Sequence, residues 1–280
     1  MKPILIALGF IVAFAAVIST SSLTIEGVPI FAICVAVAMA IQWAAFIPAY
    51  RRQTERFYDL VGSASFITVT LLALFLSNRF DDRSLLLSAL VIIWALRLGS
   101  FLFKRVHQDG GDDRFQQIKP HAKRFFLTWT LQGLWVSITA ATALAAITAV
   151  DPAPLSLWDI NAVGIWLLGF GIEVIADRQK RAHRSTLGKD TFISSGLWAY
   201  SRHPNYFGEI TLWVGVALLA IPALTSTAFA SLLSPIFAYL LLTRISGIPM
   251  LEKKAEKKWG DRADYHEYKK RTRLLVPLKR

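Results

Sequence analysis

Apolar residues in this chain come in long runs, not in the stripes of an amphipathic soluble helix. Eight runs lie near 4–20, 28–49, 59–77, 84–103, 125–149, 158–176, 206–222 and 226–246. Each approaches the roughly 20 residues that cross a bilayer core. The pattern predicts an all-α integral membrane protein, a multi-span helical bundle, because only helices satisfy their own backbone in lipid. Polar positions collect in short connectors, in two longer loops (104–124 and 177–205) and in a charged tail, 251–280. The first run, MKPILIALGFIVAFAAV, is long for a signal-peptide core, and no small-residue cleavage site stands out, so it reads as a retained span. If it is cleaved or lies at the interface, seven spans remain. No repeat or soluble domain interrupts 1–280, which reads as one membrane domain with N-terminal spans over 1–50. The tail is too short to fold alone and is expected to pack against the polar loops.

Charge then orients the bundle. The chain carries 31 Lys and Arg against 19 Asp and Glu, a net +12. On a soluble protein that excess would suggest nucleic acid; here its distribution points elsewhere. With the N-terminus cytoplasmic, the external connectors are 21–27, 78–83, 150–157 and 223–225. They hold only Arg79 and Arg83 as basic residues, beside Glu26, Asp81, Asp82 and Asp151. The remaining cations fall on the cytoplasmic side, as the positive-inside rule requires. The expectation is an inner-membrane protein with a cytoplasmic tail and no nucleic-acid partner. Its single cysteine, Cys34, lies in an apolar run, forms no intrachain disulfide, and joins no Cys/His spacing of a zinc site.

Charged groups inside membrane helices need partners or a polar cavity. Glu173 and Asp177 are four apart, on one face at the end of the sixth run, and Arg178, Lys180 and Arg181 follow. A helix end with paired charges explains them as well as a ligand does. Arg97 and Arg105 are eight apart, two turns along the face of Phe101, with Trp94 one turn deeper. Arg105 suits a simple anchor, whereas Arg97 sits further in and wants an anion. RRQTERFYDL opens the third run. There Asp59 begins the apolar stretch beside Glu55 and Tyr58. Desolvation can keep such a carboxyl neutral and able to donate. An acid favoured by a helix start is an equal account of Asp59.

The densest polar group is YSRHPNYFGE, 200–209, at the mouth of the seventh run. Pro204 suits a first helical turn, and the free N–H groups after it form a seat for an anion. Arg202 and His203 stand beside that seat. Asn205, Tyr206 and Glu209 project from the first turns, and Glu209 enters an apolar helix that offers it no solvent. Arg244 and Glu252, eight apart, resemble a further ion pair, and Tyr265 and Tyr268 can close the site from the tail. Each pair alone can be structural; together, on one membrane face, they favour a shared anionic ligand. No strand–GxGxxG–helix unit, Walker loop, EF-hand, HExxH or GxSxG is present. Gly169 and Gly171 lie inside a span, where close helix packing is the better account.

The order RHP-x-Tyr-x-Gly-Glu, then R-x-SG-x-P-x-x-E (244–252) and YHEYKKRT (265–272), resembles the bacterial branch of the steroid 5-alpha-reductase family. Trp94-x-x-Arg97, Asp177 and SSGLWAYSR (194–202) add to the resemblance, which covers about 55–280. It implies a membrane reductase core over those residues, binding NADPH without a Rossmann fold and taking a steroid-like substrate from the surrounding membrane lipid. The implied cofactor contacts are Arg97, Arg105, Asp177, Lys180, Arg202, His203, Asn205, Tyr206, Glu209, Arg244, Glu252 and Tyr268. The family's substrate-activating acid falls on Asp59 or, in another alignment, Glu55, with Tyr58 as neighbour. Trp94 stands at a substrate-binding position that is tyrosine in the animal enzymes. The RHP-x-Tyr-x-Gly core is also similar to membrane isoprenylcysteine and phospholipid methyltransferases. S-adenosylmethionine is therefore the alternative cofactor.

Overall fold

The computed structural model describes residues 2–109, 115–188 and 190–278; within its fourth helix the side chains of 105 and 107–109 are outside the description. The chain forms α1 (Lys2–Ser19), α2 (Ile30–Arg51), α3 (Tyr58–Ser77), α4 (Asp82–Asp109), α5 (Ala122–Thr139) and α6 (Ala141–Ile147). These are followed by α7 (Leu157–Leu187), α8 (Pro204–Ala220), α9 (Leu233–Leu240), α10 (Gly247–Trp259) and α11 (Ala263–Arg271). Among the described residues, seven helical stretches are long and apolar enough to cross a membrane: Lys2–Ser19, Ile30–Arg51, Tyr58–Ser77, Asp82–Lys104, Leu157–Leu187, Pro204–Ala223 and Ser226–Trp259. The all-α bundle expected from the apolar runs is the observed fold. An eighth crossing depends on α5 and α6 acting together, and these are bent by 52°. The structure thus adds a choice between seven and eight at the fifth run.

The turn between α1 and α2 is a two-residue hairpin, β1 (Thr24–Ile25) against β2 (Val28–Pro29). Glu26 and Gly27 both take positive φ, 49° and 80°, the geometry of a tight turn matched to strand twist.

The chain divides into two compact units. The first comprises Met1–Ser156 with Val216–Ser234, and the second Leu157–Gly215 with Pro235–Arg280. In the first, α3 packs on α4, and α2 on α3 and α5. Glycines bring these helices close: a Cβ at Gly62 would stand 2.5 Å from Gln132 Nε2, and one at Gly99 2.8 Å from Ser63 Cβ. An aromatic cluster of Phe115, Phe125 and Trp129 closes the end where α3 begins, with Phe46 and Tyr58 against it. Helix α6 is buried along its whole length. At the bend, Ser234 Oγ donates to the Thr139 carbonyl (2.5 Å) and Thr142 Oγ1 to the Ser231 carbonyl (2.6 Å).

In the second unit α7 and α8 cross at glycines. A Cβ at Gly169 would meet Leu212 N at 2.4 Å, and one at Gly208 would meet Glu173 N at 2.6 Å. Gly169 therefore performs the expected packing role, whereas Gly171 has nothing within 4 Å of its Cβ position. As expected, the tail packs on the polar loop. Ser201 pairs with Arg273 in a parallel bridge, and Ser201 Oγ donates to the Leu275 carbonyl at 2.6 Å.

Candidate functional site

The α7–α8 crossing sets up the site. Because the backbones touch at Gly169 and Gly208, the polar end of α7 lies beside the first turn of α8. Asn205 Nδ2 donates to Asp177 Oδ1 at 3.2 Å. Glu173 and Asp177 are both buried on the α7 face turned inward. Arg178 and Arg181, which follow them in sequence, are exposed. Lys180 folds back, its Nζ 4.9 Å from the Trp198 ring centre. Trp198 is fixed by its own Nε1, which donates to the Ala176 carbonyl at 3.0 Å.

Beside this pair lies a triad that sequence spacing did not foresee. Arg202 Nη1 donates to Glu252 Oε2 at 2.6 Å, and Glu252 Oε1 lies 2.8 Å from His203 Nε2. His203 is 95% buried, its ring stacked on Tyr206 at 5.8 Å. Burial holds its imidazole below the ordinary value. The Glu252 hydrogen bond and charge oppose that shift, while Lys180 and Arg202 add to it. Two polar atoms of the group, Arg202 Nε and His203 Nδ1, are buried with no hydrogen-bond partner among the described residues.

The expected pairing of Arg244 with Glu252 does not form; the carboxylate serves Arg202 and His203. The reason is register. Leu241–Ile245 is a π-helical turn closed by a break at Ser246 (φ −126°, ψ −62°), so eight residues no longer return to one face. Arg244 is exposed there. Tyr268 is buried, and its hydroxyl donates to the Trp198 carbonyl at 2.8 Å, which makes it a clamp between tail and loop. Burial pushes its pKa up. Glu209 is half-buried in the second turn of α8.

The remaining candidates lie in the first unit. Glu55 is buried and ion-paired with Lys119 Nζ at 2.6 Å, a partner from the 104–124 loop that no spacing rule reveals. Tyr58 donates its hydroxyl to the Thr128 carbonyl at 3.0 Å, and its ring lies 5.0 Å from both Phe115 and Trp129. Asp59 is half-buried in the first turn of α3. Trp94 is fully buried against Phe66 (5.1 Å) and Trp135 (6.3 Å). The Arg97 guanidinium sits 5.1 Å over the Phe101 ring, as the shared helical face predicted. The Arg105 side chain lies outside the described residues. Among the described residues, no group of three or more His, Cys, Asp or Glu is arranged to hold a metal.

The fold and these buried polar groups define a helical membrane protein with a polar site at the head of α8. Residues 45–272 match the family model described as a protein of unknown function, DUF1295, and the chain belongs to that family. A curated relative, the uncharacterized protein C594.04c of Schizosaccharomyces pombe, is 26% identical over 60% of this chain and 56% of its own length. The chain thus spans little more than half of that relative. No solved structure matches.

Proposed function

We propose that this chain is an NADPH-dependent membrane reductase that saturates the C4–C5 double bond of a 3-oxo-Δ4 steroid or the equivalent bond of another lipophilic enone. The observation that carries the reading is the cluster of buried Asp177 and His203 with half-buried Asn205, Arg202 and Glu252 at the start of α8. Such a cluster in an apolar bundle needs a polar ligand, and Arg202 Nε and His203 Nδ1 remain for it. The donor set fits a nucleotide. The α8 N–H groups and Arg202 suit phosphate oxygens, and Asp177, Asn205 and Glu209 suit hydroxyls and amides. DUF1295 includes steroid 5-alpha-reductase-like membrane proteins, which supports the same reading.

When bound, NADPH supplies a hydride for the carbon β to the substrate carbonyl. The chain's own task is then to stabilise the charge that grows on the carbonyl oxygen. Glu55 is already engaged by Lys119, so the reading gives the donor role to Asp59 in its protonated form. One well-placed donor contributes about 3–4 kcal/mol in such sites. Tyr58, anchored on Thr128, orients the first turn of α3, and Trp94 forms an apolar wall for the substrate. The substrate enters from membrane lipid, and the basic helix ends face the cytoplasm of a bacterial inner membrane.

Purified protein mixed with NADPH and progesterone tests this through the NADPH absorbance. Steroid-dependent loss of absorbance is expected. Asp59→Ala, which removes the donor, should slow it by about 100- to 1,000-fold while leaving NADPH affinity unchanged. Steroid-independent methyl transfer from S-adenosylmethionine, with NADPH inert, would replace this reading by the methyltransferase one.

A further inference from the structure

The Arg202–Glu252–His203 triad fixes a proton. Arg202 is always cationic and lies 2.6 Å from Glu252 Oε2, so the carboxylate beside it is ionised. An ionised carboxylate only accepts hydrogen bonds. The proton in the 2.8 Å contact between Glu252 Oε1 and His203 Nε2 therefore belongs to Nε2. A second proton on Nδ1 would place an imidazolium in a site 95% buried. The charged neighbours of His203 are Glu252 from α10, Lys180 from α7 and Arg202 from its own loop. Tyr206 stacks on the ring, and Tyr265 and Tyr268 from α11 are neutral phenols near Glu252. Two cations already face the single carboxylate, and a third is disfavoured. His203 is therefore neutral, with a bare lone pair on Nδ1, and that buried atom has no hydrogen-bond partner among the described residues.

We propose that Glu252 is a positioning residue that holds His203 in the Nε2–H tautomer, so that its buried Nδ1 accepts a hydrogen bond from a hydroxyl or amide N–H of the bound nucleotide, not from a phosphate. The tautomer stands on the triad alone; the ligand half rests on the cofactor reading given above. A diester phosphate oxygen of the nucleotide bridge offers only lone pairs at neutral pH and would repel Nδ1. The two unpartnered atoms therefore divide the ligand between them. Arg202 Nε–H takes an acceptor such as a phosphate oxygen, and His203 Nδ1 takes a donor.

Nitrogen-resolved NMR of full-length protein labelled only at its 5 histidines reads the tautomer directly, with His203→Gln assigning the signal. At pH 7.5, Nε2 should carry the proton and Nδ1 should be bare, and Glu252→Leu should abolish that single-tautomer pattern. A protonated Nδ1 in the wild-type protein would overturn the proposal, with no need for a variant to fold. So would a pattern unchanged in Glu252→Leu. NADPH should move the Nδ1 resonance in the direction of an accepted hydrogen bond, whereas inorganic sulfate, which carries no proton at this pH, should leave it in place. His203→Phe should weaken NADPH about tenfold and sulfate not at all. An equal Nδ1 shift with sulfate would overturn the ligand half. A bare Nδ1 in a protein that binds no NADPH would instead remove the cofactor reading and leave the tautomer standing.

Discussion

Arg79 and Arg83 break the charge asymmetry of the loops, and the structure shows why they are tolerated. Arg79 Nη2 donates to the carbonyls of Ala149 (3.3 Å) and Val150. Arg83, 98% buried, donates from Nε to Ala153 O (2.9 Å), from Nη2 to Pro154 O (2.7 Å) and from Nη1 to Leu219 O. These guanidinium groups pair carbonyls of the connector after α6 and of the last turn of α8. Arg83→Ala should destabilise the protein by about 2–4 kcal/mol, measured by thermal unfolding in detergent, because several buried acceptors lose a charged donor. Arg83→Lys should recover only part, since a single ammonium cannot reach carbonyls spread around a fork. His203 gives a pH dependence of definite sign. Its imidazole is held below the unfolded value, mainly by burial. The unfolded chain therefore binds the extra proton first, and stability present above about pH 6.5 is lost as pH falls through that value. Unfolding midpoints between pH 8 and 5 should drop more for the wild type than for His203→Gln. At this scale the sequence named most members of the site: Arg202, His203, Asn205 and Asp177 stood out as charge or polarity where apolar residues belong. It could not name Lys119 or the Arg202–Glu252 pair. Those contacts join positions 64 and 50 residues apart and leave no local spacing.

Helices in this protein are positioned by what they lack. The α7–α8 crossing depends on Gly208, where a Cβ would lie 2.6 Å from both Glu173 N and Gly169 O. These are backbone atoms that cannot step aside. Gly208→Leu should force the helices apart, cost about 1–3 kcal/mol, and separate Asp177 from Asn205. Loss of NADPH affinity, with helical circular dichroism retained, is the expected result. The run 125–149 shows how an apolar pattern can mislead. Its hydropathy reads as one straight span, yet the chain bends at Ala140 and α6 is buried throughout. Hydropathy reports that side chains avoid water; it does not distinguish lipid from protein interior. The side-chain hydroxyls of Ser234 and Thr142 supply bonds at the bend that a straight helix would not need. Arg244 and Glu252 failed for a related reason: a π turn between them cancels the helical period on which their pairing was inferred.

For the whole molecule, the bent α5–α6 pair decides the topology. If it crosses as one span, the count is eight, and both ends of the chain lie on one side. In a Cys34→Ser background, single cysteines at Lys2, Lys123 and Lys254 should then react with an impermeant thiol reagent from one face, and Asp151→Cys from the other. Labelling of Asp151→Cys from the same face as Lys123→Cys would make α5–α6 re-entrant. The candidate residues also divide between units. The acids of α3 and the tryptophan of α4 belong to the first, and the α7–α8–α10 cluster to the second. What the chain determined unaided was its solvent: run length reports the bilayer, because burying backbone and charge in hydrocarbon costs too much to leave any other pattern. Tertiary structure alone decided which polar groups satisfy one another. Pairing Glu252 with His203, or Glu55 with Lys119, requires distant segments to meet within 3 Å, and no periodicity along a chain encodes a distance across a fold.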